Sequence, residues 1–198
     1  MKIGVVSDTH SQPIPKQLLD DFKKVDFIIH AGDFCDTNDL EIFKKVAKVQ
    51  AVYGNMDDSR IRKLFPARQI LKCGLFSIGI FHGEGSAQKI LDRVQAEFKN
   101  DKVHAVIFGH SHQPFNEKIN SVLYFNPGSP NDQVRAPYCS YGILDVTADD
   151  IAGFCQWLTS HSNPRPPGGR SARPQGGINS GLIATGSVSG SCFRRWHS

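Results

Sequence analysis

Long apolar runs are missing from this chain of 198 residues, since none reaches the roughly 18 residues that a membrane span requires. The first strand-like segment begins at residue 2, which leaves no room for a signal peptide. Cysteine is scarce as well. The five thiols are odd in number and form no C-x-x-C pair, which argues against a disulfide framework or a zinc knuckle. We therefore expect a soluble cytoplasmic protein.

An excess of charge of one sign is also absent from most of the chain. Five of the 23 basic residues, and no acidic one, lie in residues 159–198, so that 18 basic side chains accompany 19 acidic ones in residues 1–158. This nearly neutral part has no basic stripe with interleaved aromatic residues, and a long polyanion would find little to bind. A nucleic acid polymer is therefore not expected as a partner.

The composition divides the chain near residue 158. Residues 1–158 are long enough for one hydrophobic core and predict a single domain. From residue 159 onward, Pro, Gly, Ser and Arg replace every periodic pattern. Such a segment cannot bury enough apolar surface to offset its ordering entropy. Residues 159–198 are predicted to be a disordered tail, which is either functional or the product of a frame-shifted end.

Short β-branched apolar runs predict the strands of the first half. They cover residues 2–6, 25–29, 49–53, 75–81 and 103–108. Helical patterns lie between them, at residues 14–24, from a cap at Asn38 or Asp39 to residue 48, and after a cap at Ser86. Strands that alternate with helices indicate a parallel sheet with crossover connections, and the carboxyl ends of its strands share one edge.

The second half has short strand-like stretches joined by turns. Residues 68–73 and 75–81 are separated by Gly74, which predicts a tight hairpin. Further stretches lie at residues 115–119, 122–125, 141–146 and 151–158. These stretches predict a second, mostly antiparallel sheet.

Each apolar run of the first half ends at residues that can bind a metal. Seven side chains share this position: Asp8, His10, Asp33, Asn55, His82, His110 and His112. Their nitrogen and oxygen atoms are too many for one tetrahedral zinc ion and too rich in nitrogen for calcium. Two borderline divalent cations fit better, and a carboxylate such as Asp33 can bridge them. A metal pair that activates water and polarises phosphoryl oxygens suits in-line attack on phosphorus.

The ordered set of motifs resembles one known superfamily. Asp8-x-His10, Gly32-Asp33, Gly54-Asn55, His82 and Gly109-His110-x-His112 are similar to the motifs of the calcineurin-like metallophosphoesterases. The short length and the Asn-Pro-Gly-Ser sequence at residues 126–129 are most similar to the small YfcE-like bacterial and archaeal phosphodiesterase branch. The resemblance covers residues 1–158. It implies an α/β fold, a two-sheet αββα sandwich with flanking helices.

The resemblance also implies a ligand set for each ion. The first ion would be bound by Asp8, His10, Asp33 and His112. The second would be bound by Asn55, His82 and His110, with Asp33 shared between the two ions. Manganese is the first candidate for both ions, and nickel, zinc, iron, cobalt and magnesium are alternatives.

Two positions depart from the pattern of the family. Met56 stands where many larger members have a histidine that acts on the leaving group, and Asp57 is the nearest substitute as a catalytic residue. Alternatively, Asp57 caps the following helix. Glu84 stands where the family often has histidine, and it would repel a phosphate dianion unless it points away. Asn55 and Arg135 are candidates for substrate binding, although Arg135 also suits an exposed loop.

The resemblance implies a metal-dependent phosphoesterase that hydrolyses a small phosphodiester or phosphomonoester by in-line attack of a metal-bridging hydroxide. A homo-oligomer is compatible with the sequence. An alternative of a different class is the same fold used as a protein-interaction scaffold, as in the related retromer subunit. That scaffold lacks part of the ligand set, whereas all seven ligands are present here.

Overall fold

The computed structural model describes residues 1–136 and 138–158, so the predicted disorder of residues 159–198 concerns a segment outside the described residues. Within the described part, ten strands occur: β1 Lys2–Val6, β2 Phe27–His30, β3 Val49–Ala51, β4 Arg68–Cys73, β5 Phe76–Phe81, β6 Ala105–Ile107, β7 Phe115–Ile119, β8 Val122–Asn126, β9 Ser140–Val146 and β10 Ile151–Trp157. The α-helices there are α1 Lys16–Phe22, α2 Thr37–Lys44, α3 Ser59–Leu64 and α4 Ile90–Glu97, and a 3₁₀ turn at Ala87–Lys89 precedes α4.

The strands form two mixed sheets of five strands each, in the orders β10-β9-β1-β2-β3 and β4-β5-β6-β8-β7. In the first sheet β1, β2 and β3 are parallel, and β9 and β10 are added as antiparallel strands. In the second sheet β5, β6 and β8 are parallel, with antiparallel β4 and β7 at the edges. Two expectations are therefore wrong. The runs of the first half do not share one sheet, and the later strands do not form a separate, mostly antiparallel sheet.

The position of β9 and β10 has a packing reason that local sequence patterns do not contain. A Cβ atom added at Gly142 of β9 or at Gly153 of β10 would overlap the ring of Phe125, which belongs to β8 in the opposite sheet. The two glycines therefore leave space for this ring, whose side chain is fully buried. The close packing of β9 and β10 against β8 of the opposite sheet therefore depends on these two glycines.

The two sheets pack face to face, and helices cover their outer faces. Alternate strand residues fill the layer between the sheets, among them Val5, Ile29, Ile80 and Ile107. Helices α1 and α2 pack on the outer face of the first sheet, and α4 packs on that of the second. Because both faces of the central strands are buried, these strands appear in the sequence as continuous apolar runs. The predicted α/β class, a two-sheet αββα sandwich of the metallophosphoesterase type, is confirmed.

Turns and caps explain where several elements begin. The predicted hairpin of β4 and β5 is present, and Gly74 in its turn has a φ of +60°. Asp36, rather than Asn38 or Asp39, caps α2 and accepts the N–H of Asn38 at 2.7 Å. Asp58 caps α3 through the N–H groups of its first turn, so the alternative role of Asp57 as a helix cap is wrong. No helix in the described ranges combines the length and apolar character needed to span a membrane.

Candidate metal centre

The proposed ligands lie where the edges of the two sheets meet. The loops after β1, β2 and β3 carry Asp8, His10, Asp33 and Asn55, and the loops after β5 and β6 carry His82, His110 and His112. Parallel strands bring their carboxyl ends to the same edge of a sheet. The predicted convergence of the ligands therefore occurs, although two facing sheets contribute to it instead of one.

Left-handed backbone conformations distinguish these loops. Positive φ angles between 52° and 69° occur at Asp8, His10, Asp33, His110 and His112. Non-glycine residues adopt this region infrequently, and each costs on the order of 1–3 kcal/mol, so such residues persist only where the surroundings hold them. Their concentration at one place indicates that these loops are held in the conformation that directs the side chains inward.

The first group of donor atoms comes from Asp8, His10 and His112, whose ligand atoms lie within 4.8 Å of one another. His10 Nε2 and His112 Nε2 are 3.1 Å apart. Asp8 Oδ1 is 3.3 Å from His112 Nε2 and 3.9 Å from His10 Nε2. Two nitrogens that bind one ion at about 2.1 Å and at nearly a right angle are separated by about 3 Å. The spacing therefore suits a shared cation.

The second group comes from Asp8, Asp33 and His82. Asp33 Oδ2 lies 3.3 Å from His82 Nε2 and 4.0 Å from His10 Nε2, so this oxygen stands between the two histidines. The other oxygen, Oδ1, accepts the N–H of Met56 at 2.8 Å, which fixes the orientation of the carboxylate. Asp33 Oδ2 is therefore near ligand atoms of both groups, His10 Nε2 and His82 Nε2.

Two unsatisfied atoms show that the cluster fits a cation. Within the described residues, Asp8 Oδ1 and His82 Nε2 are buried and have no hydrogen-bond partner. The Nδ1–H of His82 donates to Ala31 O at 2.7 Å, so Nε2 is the nitrogen that can face an ion. Buried polar atoms without a hydrogen-bond partner are costly, on the order of 1–3 kcal/mol each. A divalent ion between them would satisfy both atoms, and a backbone partner that fixes the ring is typical of metal-binding histidines.

The hydrogen-bond partners of His110 and Asn55, which lie beside the second group, do not match. His110 Nε2 lies 2.7 Å from Gly85 O, and His110 Nδ1 lies 3.0 Å from Asn55 Oδ1. Both partners are carbonyl oxygens and only accept, whereas a neutral imidazole has one N–H. A cation between His110 Nδ1 and Asn55 Oδ1 would remove the conflict, as would rotation of the Asn55 amide by about 180°. The ring of His110 is 5.4 Å from that of His82, so the same ion can be close to both histidines.

The charges of Asp33 and His82 are coupled. Burial lowers the pKa of His82, but the carboxylates of Asp33 and Asp8 outweigh it and raise this pKa to about 9. Burial raises the pKa of the Asp33 carboxyl, but the charge interaction with His82, whose Nε2 lies 3.3 Å from Asp33 Oδ2, holds this pKa below its ordinary value. In the absence of a cation the two side chains therefore form an ion pair at neutral pH. A metal that binds His82 has to displace its proton.

Asp57 connects the loops after β2 and β3. Its side chain is buried, and its carboxylate accepts the N–H groups of Asp33 at 3.0 Å, Cys35 at 2.8 Å and Gly54 at 2.7 Å. These three bonds support a structural role, because they use both oxygens and hold Asp33 relative to Gly54. The role of Asp57 toward the leaving group stays a prediction.

Arg62 binds the loop that carries Asn55. This residue was not identified from the sequence. Its guanidinium donates to the carbonyl oxygens of Gly54 and Asn55 at 3.0 Å and of Asp57 at 2.8 Å. It also lies 4.7 Å from the centre of the Tyr53 ring. A planar fork with several donors suits three carbonyl groups, and no spacing in the sequence indicates this contact.

The remaining candidates are placed around the centre. His30 is fully buried, stacks on Phe34 and accepts the N–H of Gly32, so its role is structural. Glu84 forms an ion pair with Arg93 of α4. Arg135 is exposed in the loop after β8, and its guanidinium has no ion-pair partner among the described residues. The structure thus leaves Arg135 at the surface.

Comparison with known proteins agrees with the fold. The model of the calcineurin-like phosphoesterase superfamily domain matches residues 1–149. A probable metallophosphoesterase of Methanocaldococcus jannaschii is 40% identical over 157 residues, which cover 76% of this chain and 77% of that protein.

Two solved structures are similar to the described fold. A structure presented as a novel archaeal phosphodiesterase has a TM-score of 0.64 and 27% identity, and the match covers 79% of this chain and 100% of that one. Wild-type Vps29 of Entamoeba histolytica in complex with zinc has a TM-score of 0.64 and 22% identity, with 80% and 98% of the two chains covered. At this identity the likeness to Vps29 shows a shared fold and nothing more.

Proposed function

The chain belongs to the calcineurin-like phosphoesterase superfamily, and from this premise we propose that it is a dinuclear metal phosphoesterase that acts on a small phosphodiester or phosphomonoester. The observation that carries the proposal is the group of Asp8, Asp33 and His82, in which two buried atoms lack partners among the described residues. The archaeal phosphodiesterase with the same fold gives further support.

In this proposal the seven side chains keep the assignment that the motifs imply. Asp8, His10, Asp33 and His112 hold the first ion. Asn55, His82 and His110 hold the second ion, and Asp33 is shared. When bound, the ions would supply an activated water and neutralise charge on the phosphoryl oxygens. The donor set of imidazole, carboxylate and amide without thiolate suits manganese first, and nickel, zinc, iron, cobalt or magnesium as alternatives.

The chain itself contributes orientation. Ala31 O directs His82, and the N–H of Met56 directs Asp33. Groups that are fixed before the substrate arrives need no reorganisation during the reaction, which is a large part of catalysis in phosphoryl transfer. Asn55 is proposed to face the substrate as well as an ion, and Arg135 is proposed to contact a phosphate from the rim.

Removal and return of metal tests the proposal. Treatment with a chelator is expected to reduce hydrolysis of bis(p-nitrophenyl) phosphate to background, because the ions that would activate the attacking water are removed. Addition of Mn²⁺ or Ni²⁺ to the stripped protein is expected to restore it. The same reconstituted protein, assayed with a panel of phosphomonoesters and phosphodiesters, would define the ester class. Absence of turnover with every metal would contradict the proposal.

The scaffold alternative is supported by the shared fold alone. A protein-binding scaffold has no need of a buried cluster of carboxylates and histidines, so the metal cluster favours the enzyme. A metal-free protein without hydrolytic activity would favour the scaffold.

A further inference from the structure

Asp132 contacts one of the proposed metal ligands although it lies outside every motif of the family resemblance. Asp132 Oδ2 meets His112 Nδ1, and the two side chains are 13% and 7% exposed. The other carboxylate oxygen, Oδ1, accepts the N–H groups of Val134 and Arg135, both at 2.8 Å. Each oxygen of Asp132 thus has its own partners, and these partners hold the carboxylate in one orientation.

The loop of Asp132 is attached to the loop that carries Asp8. Ser129 Oγ donates to Asp8 O at 2.8 Å and accepts the N–H of Asp132 at 3.1 Å. Asn131 Nδ2 donates to Thr9 O at 3.0 Å. These bonds connect the segment of residues 129–132 to residues 8 and 9. The carboxylate of Asp132 is therefore held at a fixed position relative to the first group of proposed ligands.

We propose that Asp132 is a positioning residue that keeps the proton of His112 on Nδ1, so that Nε2 presents its lone pair to the first metal site. This inference rests on the proposed function. His112 Nε2 lies 3.3 Å from Asp8 Oδ1 and 3.1 Å from His10 Nε2, so the freed lone pair points into the group. A carboxylate behind a metal-binding histidine fixes the tautomer and the ring orientation.

Asp132→Asn is a sharp test because it reverses one hydrogen bond and preserves the others. The two backbone N–H groups require an oxygen at the Oδ1 position, so the new amide nitrogen has to face His112. An N–H donor there makes Nδ1 of His112 an acceptor and moves the ring proton to Nε2. Asp150→Asn is the matched control, since it changes an exposed carboxylate that pairs with Lys118.

Two readouts follow, and neither depends on turnover. In the metal-free protein at alkaline pH, where the ring is neutral, long-range ¹H–¹⁵N correlation spectra are expected to show His112 protonated at Nδ1. In Asp132→Asn they are expected to show protonation at Nε2. Competition of Mn²⁺ with a metal-sensitive dye is expected to show affinity reduced by about 10 to 100-fold at one site in Asp132→Asn. Asp150→Asn is expected to behave like wild type.

An Nε2–H tautomer of His112 in the wild-type protein would overturn the inference, and so would unchanged Mn²⁺ affinity in Asp132→Asn. A wild-type protein that binds no Mn²⁺ would contradict the proposed function, and with it the assignment of His112 as a ligand. The spectra of the metal-free protein separate these two failures, because they test the contact of Asp132 with His112 directly.

Discussion

Replacement of Asp33 by Asn is expected to reduce turnover of a phosphodiester by about 10³-fold or more. Several kcal/mol of charge stabilisation depend on the two metal ions that Asp33 would bridge. The amide oxygen of Asn can still accept the N–H of Met56, which Asp33 Oδ1 accepts at 2.8 Å. The variant is therefore expected to fold. Steady-state kinetics measure the loss of turnover, and elemental analysis of the purified variant measures its metal content.

Asp58→Asn is the matched control for this experiment. Asp58 lies in the neighbouring loop and caps α3, and Asn caps helices equally well. Its turnover and metal content are expected to equal those of wild type. Wild-type activity in Asp33→Asn at saturating metal would contradict the bridging position of Asp33.

Replacement of Asp57 by Ala is expected to lower the free energy of unfolding by at least about 3 kcal/mol. The carboxylate of Asp57 accepts three backbone N–H groups, and each buried donor left without a partner costs about 1–3 kcal/mol. Urea denaturation of the metal-free protein measures this loss. Asp58→Ala, which removes a half-buried helix cap, is expected to cost clearly less. Equal losses in the two variants would contradict the structural role of Asp57.

A second substitution of Asp57 distinguishes a structural role from a catalytic one. Asp57→Asn keeps one acceptor oxygen and removes the acid. If Asp57 protonates the leaving group, kcat falls for substrates with poor leaving groups and changes little for p-nitrophenyl esters. If its role is structural, both substrate types lose activity together with stability.

The strands of the core were predictable, but the assignment of strands to sheets was not. The apolar runs at residues 2–6 and 103–108 identify strands from neighbouring residues alone. The partner of each strand depends on contacts between distant residues, such as the ring of Phe125 against Gly142 and Gly153. The spacing of apolar residues along the sequence does not predict these contacts.

The same distinction holds for the candidate site. Side chains at strand ends were found because the end of an apolar run and the polar residue after it are adjacent in sequence. Arg62 was missed because its partners are backbone carbonyl groups, which every residue carries, although they lie only five to eight positions away. Asp132 was missed because its partner is a histidine ring 20 positions away. Asp57 was noticed by its place after Asn55, but its contacts with Asp33 and Cys35 cross 24 and 22 positions of the chain.

The central claim, two ions held by seven side chains, is tested most directly by anomalous diffraction from crystals grown with Mn²⁺. The account predicts two anomalous peaks about 3.5–4 Å apart. One peak should lie between His10 and His112, the other beside His82, and Asp33 should lie between them. A single peak, or peaks away from these side chains at saturating Mn²⁺, would contradict it.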